Sequence, residues 1–380
     1  MFRILSYPMN VGVILLFGVF LSLFDLSSFY SPPYGESLAI ILILAFSYIA
    51  LSVFFTRRVV ERNEHSASWK TFSIIAATGF FVESILGGAP ILVGRESAVT
   101  LPVLHVAFYS CAILSVLFAS IYGSKKEMII SLFVVLILST LMLSRQMMIV
   151  SFFIAVISYS SRVRFNKVMI LNLLITIIAL IFLFALVGNL RQQLSGDYVN
   201  DYIKEVGGAN EQGMAIGDAL YWIWLYIASP VYNLVANIDS YYNFGDSCNK
   251  ALSFGSCRGD YVLSVLTPDT IAKHFSQPFE IDMVMKHLNA GTAFSASARI
   301  FGISGIYIQF VLQVIFYVLG FIFTNKRNRT AFVVYFSALS LFMIFDNLFI
   351  RGEFFFGFLL IIASGCRMPL IAKKIKHYKF

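Results

Sequence analysis

Residues 129–161 read IISLFVVLILSTLMLSRQMMIVSFFIAVISYSS, and Arg145 is the one charged residue in this stretch. Apolar runs of about 17–25 residues are typical of helices that span a membrane. This run is too long for one span, and Ser144 and Arg145 divide it near the middle. The stretch therefore predicts two membrane segments, which form either a tight hairpin or one broken helix.

The rest of the chain has the same character. Of its 380 residues, 59% are hydrophobic and only 13% are charged. Soluble domains are about 45–50% apolar and about 25% charged, so a chain of soluble domains is excluded. The first span is expected to remain in the protein, because no A-x-A-like cleavage site follows it. Ten apolar stretches predict spanning helices: 9–27, 37–55, 71–88, 102–122, 127–143, 146–161, 168–188, 300–323, 331–350 and 353–370.

The positive charge is distributed as in a membrane protein. The net charge is +8, but the basic residues form short clusters between apolar runs and no basic stripe interleaved with aromatic residues, so nucleic-acid binding is not expected. Clusters of this kind mark cytoplasmic loops, and their order along the chain places both termini in the cytoplasm. The clusters are Arg57, Arg58 and Arg62; Lys125 and Lys126; Arg162, Arg164 and Lys167; Lys326, Arg327 and Arg329; Lys373, Lys374, Lys376 and Lys379.

These patterns predict an all-α, polytopic transmembrane helical bundle with three parts. Residues 1–188 hold spans one to seven, 189–298 form one large loop on the outer side, and 299–380 hold spans eight to ten and a basic cytoplasmic tail. The loop is rich in acidic residues and contains the aromatic stretch YWIWLYIASPVYNLVANI, residues 221–238. Its tryptophan and tyrosine residues favour an interfacial helix at headgroup depth.

Four arginines are predicted at the outer end of the bundle, where basic residues are otherwise rare. They are Arg145, Arg191, Arg299 and Arg351. Guanidinium groups that converge there could bind an anion, and phosphate matches their bidentate geometry. The alternative is that they lie at helix ends with their charges in the interface, or pair with local acids, as Arg351 could with Asp346 or Glu353.

The outer loop contains two further candidate features. His287 could act as a general base for a hydroxyl group, with a loop carboxylate as the alternative base, although a single loop histidine is more often structural or solvated. Cys248 and Cys257 indicate a disulfide in an oxidising compartment, with free thiols as the alternative. The pair Glu280 and Asp282 is a weak metal signal, and the sequence has no P-loop, HExxH or GxSxG motif.

Four short motifs lie in or next to the predicted spans and the outer loop: Ser144-Arg145, Gly188-Asn189-Leu190-Arg191, Tyr226 with Ser229-Pro230-Val231-Tyr232-Asn233, and Gly302-Ile303-Ser304-Gly305. Together with the large loop before the last three helices, they resemble the bacterial O-antigen (oligosaccharide repeat unit) polymerases of the Wzy type, which are related to the O-antigen ligases. The resemblance covers most of the chain. In the ligase branch a His-Asn precedes the last motif, whereas this chain has His287-Leu288-Asn289.

The resemblance implies a C-type, metal-independent glycosyltransferase in the bacterial inner membrane with its active site facing the periplasm. Such an enzyme transfers a growing chain from undecaprenyl pyrophosphate onto a lipid-linked repeat unit and releases undecaprenyl pyrophosphate. No cofactor or metal is expected. The implied partners are the lipid-linked oligosaccharide, membrane lipids and a chain-length regulator protein.

The site residues follow from the resemblance and the charges together. All four arginines are expected to bind pyrophosphate, with Arg191, Arg299 and His287 also taking part in catalysis. An O-antigen ligase and a flippase or transporter for the same lipid-linked oligosaccharides remain alternative functions. Candidate sugar or lipid contacts are Tyr226, Tyr232, Asn233, Asn289 and Glu353.

Overall fold

A computed structural model of the chain describes residues 2–55, 69–93, 99, 101–162, 171, 202–245, 257–275, 279–285 and 290–364. These residues are mostly helical and include no β-strand, only an isolated bridge between Ser27 and Ala209. Ten of the helices within these described ranges are longer than five residues: α1 Met9–Ser22, α2 Gly35–Phe55, α3 Trp69–Gly87, α4 Pro102–Tyr122, α5 Lys125–Leu141, α6 Arg145–Arg162, α7 Asp218–Phe244, α8 Ser295–Phe323, α9 Arg329–Ser340 and α10 Gly352–Ser364.

Five helical segments in the described part of the chain are long and apolar enough to cross a membrane. They support the prediction of a membrane-embedded, all-helical protein. Four of the segments match predicted spans, whereas the fifth, formed by α7, lies inside the predicted outer loop. The predicted span over 168–188 falls almost entirely outside the described residues. The five segments are Gly35–Phe55, Trp69–Val93, Pro102–Tyr122, Asp218–Phe244 and Ser295–Phe323.

The long apolar stretch around Arg145 forms two separate helices. Helix α5 ends at Leu141, Leu143 has a positive φ of 50°, and α6 begins at Arg145. Side chains other than glycine rarely adopt this left-handed conformation, so Leu143 marks a true break in the helix. At its other end α5 begins with a capping box, in which Ser124 and Glu127 bind each other's backbone N–H groups.

The prediction of one span over 331–350 is wrong. Helix α9 ends at Ser340 and is followed by two 3₁₀ turns, Leu341–Ile344 and Leu348–Ile350. Between these turns, Asp346 Oδ1 accepts a hydrogen bond from the backbone N–H of Asn347 at 2.7 Å. Short polar side chains that bind nearby backbone compete with helical hydrogen bonds, which explains the interruption.

The chain forms two compact units, each built from separate parts of the sequence. The first comprises Met1–Arg57, Ser160–Gln313 and Ser337–Gly352, and the second Arg58–Tyr159, Val314–Phe336 and Glu353–Phe380. In the first unit, α7 packs against α1 and α2. In the second, α4 packs against α3 and α5, and Gly79 of α3 lies so close to the ring of Phe108 that a Cβ would come within 2.3 Å.

Three aromatic residues of α7 pack inside the first unit, whereas the interfacial position expected for this helix stays a prediction. Trp222, Trp224 and Tyr232 are each less than 10% exposed. Trp224 Nε1 donates a hydrogen bond to the carbonyl O of Leu21 at 2.8 Å, and the Tyr232 hydroxyl donates to that of Ser22 at 2.6 Å. The carbonyls at the end of α1 accept these bonds, so the polar atoms of the aromatic side chains help to join α7 to α1.

Candidate functional site

Arg299 is the most deeply buried of the predicted arginines that the structure describes. Its side chain is 9% exposed, and its Nε lies 2.7 Å from Oδ2 of Asp282, whose side chain is 49% exposed. Arg299 Nη1 donates to the carbonyl O of Gly245 at 2.8 Å. Nη2 makes no hydrogen bond with any described residue. Two of the three guanidinium nitrogens are therefore bound by described residues.

A bend in α8 separates Arg299 from the long apolar part of this helix. Phe301 has φ −132° and ψ 15°, and Gly302 has φ 59° and ψ −140°, both outside helical values. A Cβ at Gly302 would come within 2.4 Å of the Tyr241 ring, so glycine is required by both conformation and space. Arg299 thus lies on a short first segment of α8, ahead of the bend.

Two asparagines of α7 hold the segment that carries Asp282. Asn237 Nδ2 donates to the carbonyl O of Asp282 at 2.7 Å, and its Oδ1 accepts from the Asp282 N–H at 3.0 Å. Asn233 Oδ1 accepts from the Val284 N–H at 3.0 Å, and its Nδ2 donates to the carbonyl O of Ala290 at 2.8 Å. Both side chains are fully buried. Their spacing of four residues places them on one helix face, a signal that the sequence analysis missed.

Arg351 pairs with two aspartates. Its Nε and Nη2 lie 2.8 and 2.7 Å from Asp346 Oδ2, and its Nη1 lies 3.3 Å from Asp269 Oδ2. The pair with Asp346 agrees with the alternative interpretation from the sequence, whereas the second partner is Asp269 and not Glu353. Burial lowers the pKa of Arg351, but the two carboxylates outweigh this effect and raise its pKa above the ordinary value.

The second unit contains a buried acid–histidine pair that the sequence analysis did not select. Glu83 of α3 is 2% exposed, and its Oε2 lies 2.9 Å from Nδ1 of His105 in the first turn of α4. Its Oε1 accepts the backbone N–H of Leu101 at 2.8 Å. A carboxylate inside an apolar span is costly and is a functional-site hypothesis on its own, so Glu83 could have been found from the sequence.

Arg145 lies in the same unit, next to a polar contact between helices. The hydroxyls of Tyr109 and Ser144 are 3.2 Å apart, and Arg145 follows Ser144 at the start of α6. The ring centroid of Tyr109 is 6.1 Å from that of His105. On the next residue of α4, the Ser110 hydroxyl donates to the backbone carbonyl of Glu353 in the first turn of α10.

The remaining predicted residues have different outcomes. Tyr232 and Asn233 are buried and bind backbone groups, and Tyr226 is half-buried with its ring centroid 4.7 Å from that of Trp222. Cys257 is disulfide-bonded, and its pairing with Cys248 stays a prediction. The predicted positions that lie outside the described residues are Arg191, Cys248, His287 and Asn289.

Comparison with known proteins found no matching family model, no similar curated protein and no similar solved structure. The helices that the structure describes define the class: a membrane-embedded, all-helical protein. The described residues include an ion pair at a helix bend and an arginine paired with two aspartates in the first unit, and an acid–histidine pair in the second.

Proposed function

We propose that this protein is a C-type glycosyltransferase of the bacterial inner membrane that polymerises O-antigen repeat units. It transfers the growing chain from undecaprenyl pyrophosphate to a second lipid-linked repeat unit at the periplasmic face and releases undecaprenyl pyrophosphate. The proposal rests on the resemblance to Wzy-type polymerases and on the chemistry of the arginines.

The observation that carries this proposal is the environment of Arg299. A buried guanidinium whose Nη2 binds no described residue, beside a half-exposed carboxylate, is suited to bind an anionic ligand. The leaving pyrophosphate gains negative charge in the transition state, and a fixed cation in a partly dehydrated site stabilises that charge without a metal. Asp282 would then hold Arg299 in place before the substrate binds.

The reaction uses two lipid-linked substrates, and each carries a pyrophosphate. Cationic side chains are therefore needed at more than one position, which gives Arg145, Arg191 and Arg351 roles of the same kind as that of Arg299. Arginine suits this role better than lysine because its planar group can bind two phosphate oxygens at once. The acidic partners of Arg351 would have to be displaced or shared when an anion binds there.

The first experiment is deletion of the gene in its host, followed by gel analysis of the surface lipopolysaccharide. A polymerase deletion leaves core that carries a single repeat unit and no ladder, because ligation and flipping still deliver one unit. Bare core without a repeat unit would contradict the proposal and favour a ligase or a flippase. An unchanged ladder would contradict any role in O-antigen assembly.

Complementation of the deletion strain with single variants then tests Arg299. Arg299→Ala and Arg299→Lys are both expected to shorten or abolish the ladder, because lysine restores the charge but not the bidentate geometry. Arg258 is an exposed arginine of the same unit, and Arg258→Ala serves as the matched control with a normal ladder expected. A normal ladder in both Arg299 variants, at normal protein levels, would exclude Arg299 from the reaction.

A further inference from the structure

The pair of Glu83 and His105 has the geometry of a base held by a carboxylate. Glu83 is buried and accepts hydrogen bonds on both oxygens, from His105 Nδ1 at 2.9 Å and from the Leu101 N–H at 2.8 Å. A carboxylate accepts hydrogen bonds, so Nδ1 carries the proton in this pair. In the neutral imidazole this leaves a free lone pair on Nε2. The same arrangement of an oriented histidine is used for general base catalysis.

The other ring nitrogen, Nε2, belongs to a partly exposed side chain. The His105 side chain is 20% exposed, and Nε2 makes no hydrogen bond with the residues that the structure describes. Its neighbours are aromatic: the ring centroid of Phe80 is 5.6 Å and that of Tyr109 is 6.1 Å from the imidazole. Aromatic rings next to an accessible base provide apolar faces of the kind on which sugar rings pack.

Two hydroxyl groups lie on the far side of Tyr109 from the imidazole. Tyr109 lies between His105 and Ser144, whose hydroxyl is 3.2 Å from that of Tyr109, and Arg145 is the next residue of the chain. Glu83, His105, Tyr109 and Ser144 all lie in the second unit. Glycosyl transfer to a sugar hydroxyl requires a base that accepts the proton of that hydroxyl, and His105 is the base in this group of residues.

We propose that His105 is the catalytic base that accepts the proton of the acceptor sugar hydroxyl, with Glu83 as its positioning residue. This inference rests on the proposed glycosyl transfer. As the hydroxyl oxygen forms its bond to the anomeric carbon of the donor, its proton passes to His105 Nε2. The bond between that carbon and the phosphate oxygen breaks, and its electron pair leaves with undecaprenyl pyrophosphate. His105 then returns the proton to solvent.

The decisive variant is His105→Asn. The asparagine amide can donate to Glu83 from nearly the position of Nδ1, so the link between α3 and α4 is preserved while the basic nitrogen is lost. Purified protein in liposomes is given the host's undecaprenyl-pyrophosphate-linked repeat unit, and chain products are measured. Binding of undecaprenyl pyrophosphate is measured separately. We expect the variant to form chains about 100-fold more slowly, or not at all, and to bind undecaprenyl pyrophosphate as the wild type does.

Two further variants complete the experiment. Glu83→Gln keeps an acceptor for Leu101 but presents an amide to His105, which reverses the tautomer, so a similar loss of rate with intact binding is expected. His274 is an exposed histidine in the first unit, and His274→Asn is the control that should retain the wild-type rate.

The possible results separate this inference from the proposed function. If His105→Asn forms chains at a rate within about threefold of the wild-type rate, the inference is overturned and the proposed function stays intact. The reason is that loss of a general base lowers the rate by far more than threefold. Loss of both chain formation and binding in His105→Asn and in a second variant, His105→Gln, would assign the pair a structural role and also overturn it. A wild-type protein that binds undecaprenyl pyrophosphate but forms no chains would overturn the proposed function itself.

Discussion

Asn237 binds the backbone of Asp282 through both ends of its amide: Nδ2 donates to the carbonyl O at 2.7 Å, and Oδ1 accepts from the N–H at 3.0 Å. Asp282 is in turn the partner of Arg299. The position of the arginine thus depends on a buried residue of α7 that it does not touch.

We expect Asn237→Ala to destabilise the first unit and weaken the function of Arg299. The change leaves a backbone donor and a backbone acceptor of Asp282 without their partner, and each unsatisfied group that stays buried costs about 1–3 kcal/mol. Thermal unfolding of the purified protein in detergent measures the effect. Gln212 is exposed, and Gln212→Ala should change the free energy of unfolding by less than about 0.5 kcal/mol. Equal melting temperatures for the two variants would contradict this prediction.

Gly302→Ala should destabilise the protein more than the addition of a single methyl group suggests. The positive φ of 59° is strained for any other residue at a cost of about 1–3 kcal/mol, and the new methyl group would also meet the Tyr241 ring. Gly217 is the matched control, because nothing lies within 4 Å of a Cβ built there. We expect Gly302→Ala to lower both the melting temperature and the length of the polysaccharide ladder, and Gly217→Ala to change neither strongly. A full-length ladder with Gly302→Ala would show that the bend tolerates a side chain.

The raised pKa of Tyr261 predicts how the stability of the protein changes at alkaline pH. Burial raises its pKa to about 12, from an ordinary value of 10.0, although a hydrogen bond with Ser297 acts in the opposite direction. Because the folded protein favours the neutral phenol, this stabilising contribution is complete below pH 10 and is lost as the pH rises through about 12.

Comparison of the wild type with Tyr261→Phe tests this dependence. Below pH 10 the variant should be about 0.5–1.5 kcal/mol less stable, because it lacks the hydrogen bond from the Tyr261 hydroxyl to the carbonyl O of Gly305. Between pH 10 and 12 the difference should shrink or reverse, since phenylalanine does not ionise. Melting temperatures of both proteins are measured across this range. A difference between them that stayed constant would contradict the prediction.

The disulfide of Cys257 predicts which cysteines react with a thiol-labelling reagent in the wild type and in a cysteine variant. If Cys257 pairs with Cys248, neither should react with a maleimide in the oxidised wild type, and Cys257→Ser should expose one new reactive thiol at Cys248. Cys111 is a buried free cysteine and should stay unlabelled in the folded protein in both cases. Mass mapping of the labelled peptides identifies the site. Labelling at a cysteine other than Cys248 would assign Cys257 a different partner.

The sequence was sufficient to predict the helices that are apolar along their whole length. The bounds expected for the spans at 37–55, 71–88 and 102–122 differ from those of α2, α3 and α4 by at most two residues. Continuous hydrophobicity is a local property, so it can be recognised without tertiary contacts. The prediction failed over 331–350, because the local hydrogen bond between Asp346 and Asn347 interrupts a run whose average composition is still apolar.

The candidate site was less predictable because it depends on pairings between distant residues. Arg299 and Arg351 were selected from the sequence, but Asp282 and Asp269 could not be assigned to them, since the partners are 17 and 82 positions away. Likewise, Glu83 could have been selected as a carboxylate in an apolar span, but its partner His105 could not be assigned, because the pair forms only when α3 packs against α4. A charged residue in an apolar run indicates where a functional site is possible, whereas the partners of that residue are determined by the fold.

The bend at Phe301 and Gly302 has a mechanical consequence. Long membrane helices respond to changes in bilayer thickness by tilting, and a continuous rod would carry that tilt to both of its ends. Here the rod is broken by two non-helical residues just after Arg299, while Asn237 and Gly245 anchor the arginine and its partner from α7 and its C-terminal end. Because the bend separates the ion pair from the long part of α8, a tilt of that part should change the angle of the ion pair less than it would in a continuous helix.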